Sequence, residues 1–245
     1  MPNQYREEIL ECWNQFSKED NLLRFSPLTC FPEFYENDQV IVGINPSNSF
    51  NSLSPVLRNI RVDFELEHPI NSIIDQNSYN EFLKYTNFEQ SEELIIQLQH
   101  KCHEFHRHFR KYKRFLELMQ VENIKNIDLF PIWETNQKSL EQFLNNQPEL
   151  KSRLISSFFD FLTRNNVKNV LFLNSGAYSS FEKYFNKNIY NRFDTTINLG
   201  MRNLIFTTGE INHSETIINF KKIGIGGHVN LELLADQLNK NNISI

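Results

Sequence analysis

Apolar positions recur along the chain with two periods, and their alternation predicts an order of elements. Ile9, Trp13 and Phe16 fall at helical spacing within residues 4–18, which predicts an opening helix. Residues 25–38 read next as a loop broken by Pro27 and Pro32. The run Val-Ile-Val-Gly-Ile at 40–44 is continuous and β-branched, and it ends in Asn45-Pro46-Ser47, the pattern of a strand buried on both faces. Residues 46–80 are polar and irregular, with Pro55 and Pro69, and predict a long loop.

Further on, 90–120 is helical and charged, and 123–131 predicts a second strand stopped by Pro131. A helix is expected over 149–165, a third strand over 167–176, a helix over 177–185, a fourth strand over 202–210 and an amphipathic helix over 228–238. Strands alternating with helices imply a three-layer α/β/α sandwich around a mostly parallel four-stranded sheet. With no repeat and no linker, 1–245 reads as one domain, residues 1–37 forming a helix-and-loop extension. In such sheets ligands bind beyond the carboxyl ends of the strands. That rule points at Asn45 and the residues after it, at Asp128–Pro131, at Asn174–Gly176 and at Gly209–Ser214.

Composition adds exclusions. With 40% hydrophobic and 22% charged residues, the chain is ordinary for a folded protein and unlike a disordered one. No apolar run approaches the length that spans a bilayer, and the charged N-terminus is no signal peptide. Cys12, Cys30 and Cys102 show no paired spacing, so a reducing, cytoplasmic setting without disulfides is expected. The net charge of −5 does not advertise a nucleic-acid binder, but a local basic face acts within a Debye length whatever the far side carries.

The densest positive run is 100–114, where Lys101, Arg107, Arg110, Lys111, Lys113 and Arg114 face only Glu104. Two readings stand: a face that neutralises phosphates, or a solvated helix face. Phe105, Phe109, Tyr112 and Leu116 form its apolar stripe. Cys102 and His106 are spaced as zinc ligands can be, but no second pair occurs, so no metal is expected. The absence of a Gly-x-x-x-x-Gly-Lys loop argues against a nucleotide hydrolase.

The strand exit Val40–Ser47 and the C-terminal third together resemble the uracil-DNA glycosylase superfamily. The resemblance is nearest to the mismatch-specific and single-strand-selective branches, whose first motif is a buried strand and then Gly-x-Asn-Pro-Gly. Gly43, Ile44, Asn45 and Pro46 match it, and Ser47 replaces the last Gly. A strand at 204–209, then Asn212-His213-Ser214, then Gly226-Gly227-His228 and a helix are similar to the family's closing segment, with His213 where Pro belongs. The resemblance spans about 40 to 240 in outline.

It implies hydrolysis of the N-glycosidic bond of uracil or a modified pyrimidine in DNA without metal or cofactor; the oligomeric state is left open, with a monomer as the expectation. Asn45 would hold the attacking water by positioning, while Asn212 and His213 would supply donors to the departing base. Gly43, Ser47, Phe50, Asp128 and Ser214 would form the base pocket, with Phe50 or Phe64 stacking on the base. Arg107, Arg110, Lys111, Lys113 and Arg114 would meet the DNA backbone. Asp128 matches the family's base-reading position. A carboxylate only accepts, so it favours an exocyclic amine over uracil O4. Plainer roles remain open: a turn ending a strand for Asn45, a loop histidine for His213, a turn cap for Asp128, and core for either Phe. A binding protein of the same fold without catalysis is the alternative.

Overall fold

A computed structural model describes residues 39–43, 50–60, 69–78, 107–122, 124–130, 137–213, 216–226 and 228–245. Among these, six strands run β1 Gln39–Gly43, β2 Ile124–Asp128, β3 Asn169–Phe172, β4 Ile189–Asn198, β5 Asn203–His213 and β6 Thr216–Ile223. They form one sheet in the order β2-β1-β3-β6-β5-β4. The first four in that order are mutually parallel. β5 is antiparallel to both β6 and β4. The helices are α1 Phe50–Ile60, α2 Arg107–Leu118, α3 Gln137–Asn146, α4 Pro148–Arg164, α5 Ser175–Phe185 and α6 Leu231–Lys240.

The architecture is α/β with a mixed sheet, and the expected four strands become six. The strand expected at 202–210 is β5, which runs against the parallel set. The fourth parallel strand is β6, reached through a hairpin that polar residues conceal. β4 reads Ile-Tyr-Asn-Arg-Phe-Asp-Thr-Thr-Ile-Asn and is exposed along most of its length, so it lacks the apolar run that marks β1 and β3. A bulge between Tyr190 and Phe193, with Asn191 at φ 48°, also breaks its period of two.

The expected loop over 46–80 contains α1. Pro55 forfeits one backbone hydrogen bond inside that helix, which the burial of Leu57 helps to offset. Helix α3 adds to the expected elements, and Leu140 and Leu144 bury its inner face before Pro148 starts α4. The opening helix 4–18 lies outside the described residues, as do Cys102 and His106.

Apolar residues fill both faces of the sheet. Val40, Val42, Ile127, Val170 and Phe172 join Leu154, Phe158, Phe181 and Phe185 of α4 and α5. Ile41, Leu171, Phe206 and Ile223 join Tyr112, Phe115 and Leu116 of α2 and Leu234 and Leu238 of α6. Period-two alternation in β1 therefore decides what each later position can face: Gly43 lies on the α2 side. Among the described residues no helix is long and apolar enough to cross a membrane.

Candidate functional site

β1 and β2 end together, with Gly43 directly opposite Asp128, and Leu129 N donates to Gly43 O at 3.0 Å to extend the ladder. Gly43 leaves room for the Asp128 side chain. A Cβ there would lie 2.0 Å from Asp128 Oδ1 and 3.2 Å from its Cγ, so the carboxyl rests on bare backbone. Burial raises the Asp128 pKa from 3.8 to about 7. Burial chiefly, and the Asp128 carboxylate next, push the Tyr112 phenol upward, which fits a position on the same side of the sheet. A carboxyl poised near neutrality at a strand exit is chemically usable, as a donor when protonated and an acceptor when ionised.

The neighbouring strand exits assemble the rest of this end. β1 sends its crossover towards β2, whereas β3 sends its own the other way towards β6, so the connections diverge between β1 and β3. Asn174 comes just after β3 and caps α5, its side-chain oxygen accepting from Gly176 N at 2.8 Å. Ile225 N donates to Leu173 O at 2.9 Å and carries the β3–β6 ladder beyond the strands. A Cβ on Gly224 would meet Ser175 Oγ at 2.3 Å, so the Ser175 hydroxyl sits against bare backbone there. His228 is exposed just past it, and Asn230 caps α6 by accepting from Leu233 N at 2.9 Å.

Helix α2 begins at this same end, since it descends to the start of β2. Its basic residues divide into two groups. Lys111 Nζ donates to Gly226 O at 3.3 Å, and Arg114 pairs with Glu232 at 3.3 Å and Glu117 at 3.9 Å. These side chains tie the helix to the loop after β6 and to α6. Arg110 and Lys113 are exposed and make no ion pair among the described residues. Among the described side chains of α2 they are cations without an ion pair. Arg107 opens the helix.

Asn212 and His213 stand elsewhere. His213 ends β5 opposite Thr216, the first residue of β6, and thus at the amino-terminal end of the parallel strands. Along the register from Gly43 across β3 and β6, seven residue rises and three strand spacings intervene, roughly 27 Å. The His213 ring stacks on Phe159 of α4 at 4.3 Å and 8°. Asn212 is exposed, and its carbonyl accepts from Asn188 Nδ2 at 2.8 Å. The strand ends expected to converge therefore do not all do so: 43, 128 and 174 share one end, and 212–213 occupy the other.

Phe50 opens α1, its backbone N–H donating to Gln76 Oε1 at 2.8 Å. With Ser54, Leu57, Arg58 and Ile74 it lines a cavity of about 330 Å³. Asn45, Ser47, Phe64 and Ser214 lie outside the described residues. No group of three metal-ligating side chains occurs among the described residues.

No known protein family, curated protein or solved structure matches this chain. The chemistry of the site therefore rests on its own residues. Sequence reasoning missed the loop 224–230 as part of this end, although Gly224, Gly226 and Gly227, three of only seven glycines, mark it.

Proposed function

We propose that this chain is a nucleobase-directed DNA hydrolase of the uracil-DNA glycosylase type, with its site at the carboxyl ends of β1 and β2. The observation that carries this reading is the Asp128 carboxyl, seated on Gly43 with a pKa of about 7, at the end where the basic helix begins. A base leaving the stack needs a snug polar pocket, and a carboxyl that titrates near neutrality can read its edge in two ways. Protonated, Asp128 donates to uracil O4. Ionised, it accepts from the exocyclic amine of a cytosine-type base.

Asn45, two residues past Gly43, takes the water-positioning role that the resemblance implies. Asn212 and His213 are too distant to stabilise the same leaving base. In this reading that role passes to the loop after β6, where His228 is the exposed titratable side chain. Arg110 and Lys113 meet the phosphates.

A second reading is favoured by one observation, the separation of Asn212 and His213 from Asp128: DNA binding at this end without bond cleavage. Labelled oligonucleotides carrying uracil or modified cytosines, treated with alkali after incubation, distinguish the two. Abasic sites dependent on Asp128 support the hydrolase, and bound but intact DNA supports the binder. An oligonucleotide neither bound nor cut would end both.

A further inference from the structure

Among the described residues, no helix covers the lower part of one face of the β4–β5–β6 unit. Phe193, Thr208 and Lys221 lie directly opposite one another across the three strands; the next row holds Tyr190, Glu210 and Asn219, and the last Asn212 and Ile217. Residues directly opposite share a face, and Phe206 and Ile223 of the row above pack under α6. The three lower rows lie beyond that helix. Phe193 is 69% exposed, Tyr190 52% and Ile217 55%, three of the seven large apolar side chains exposed among the described residues. Scattered exposed apolar residues are ordinary, but two aromatics and an isoleucine on one rigid sheet face form a contact surface.

Lys221 stands in the row of Phe193, half-buried, with Leu171 of β3 on its other side. No carboxylate among the described residues pairs with it, and burial lowers its pKa. Glu210, one row below, is held through its Oε2, which accepts from Asn191 Nδ2 at 2.7 Å. A desolvated cation set among apolar side chains lacks one thing, an anion that arrives with apolar company. A nucleic-acid strand fits less well, because stacking platforms sit in cationic grooves and here Glu210 offsets the one lysine.

We infer that the open face of β4, β5 and β6 docks an apolar protein segment carrying a carboxylate, which pairs with Lys221 while its apolar side chains cover Tyr190, Phe193 and Ile217. This surface lies on the hairpin side of the sheet and does not depend on the reading of Asp128.

Three fluorescein-labelled peptides test it on the full chain by anisotropy. Each has a Val-Leu-Xaa-Leu-Val centre in Gly-Ser flanks, with Glu, Gln or Lys at Xaa. The Glu peptide should bind at least ~10-fold more tightly than the Gln peptide, and the Lys peptide least. Lys221→Gln should erase the Glu-over-Gln preference, and Phe193→Ser should weaken all three. Phe193 is exposed and Lys221 half-buried, and an unchanged Tm verifies folding. Equal affinities for the three peptides, no binding at all, or Glu preference surviving Lys221→Gln would overturn the inference. So would an oligo(dT) strand that binds more tightly than the Glu peptide and is lost in Phe193→Ser, or self-association of the chain lost in that variant.

Discussion

The two ends of the sheet carry residues that look equivalent in the sequence and are not. At the carboxyl end, Gly43 supports a half-buried carboxyl and the exits of β1, β2, β3 and β6 gather. At the other end, Asn212 and His213 also close an apolar strand, yet that strand runs antiparallel and the histidine packs flat on Phe159. What separates them is strand direction, which local sequence does not record. A half-buried titratable group marks the first end, and aromatic packing marks the second.

Asp128 should give the largest contrast. Burial lifts its carboxyl from 3.8 to about 7, so the native state keeps a proton that the unfolded chain releases. The stability that Asp128 contributes is fully present below pH 4 and is lost as pH rises from there through 7, by ~4 kcal/mol at most. Urea unfolding from pH 4 to pH 8.5 should show this decline, and Asp128→Asn should flatten it. A parental curve flat over that range would remove the carboxyl from its buried site.

Gly43→Ala comes next. The new methyl collides with the Asp128 carboxyl, and the expected loss is ~2 kcal/mol. Adding Asp128→Ala should recover most of it, a non-additivity that a double-mutant cycle reads directly. Additive losses would mean that the two residues do not touch. At the opposite end, His213→Ala should cost ~1 kcal/mol through the lost ring stack while leaving DNA chemistry unchanged.

The smallest expected effect concerns the basic helix. Reversing Arg110 and Lys113 to Glu should weaken DNA binding and lower the magnitude of the salt slope by about 2. Reversing Arg114, which already pairs with Glu232 and Glu117, should do less. Equal effects at all three positions would make α2 an undifferentiated charged surface.

Much of the parallel half was legible in the sequence. β1 and β3 announce themselves as apolar runs ending at turn residues, and Phe109, Tyr112 and Leu116 of the expected stripe place α2 on the sheet, with Phe115 added by the structure. Asp128 was legible as a strand-exit residue, but its contact with Gly43 was not, because register between β1 and β2 is set by packing 85 positions apart. β4 stayed hidden because Arg192, Asp194 and its threonines face solvent on an edge strand, and Arg192 is held by Glu182 and Asp194. With β4 unseen, β5 took the place of β6, and Asn212 and His213 moved with it to the wrong end.

Uracil release at several pH values tests the central claim most directly, with abasic sites counted for the parent, Asp128→Asn and the Asn212→Ala/His213→Ala pair. The parent should cleave uracil best below pH 7 and lose rate as Asp128 ionises, Asp128→Asn should hold its rate at higher pH, and the Asn212/His213 pair should match the parent. Loss of activity in the Asn212/His213 variant, with Asp128→Asn indistinguishable from the parent at every pH, would contradict the account.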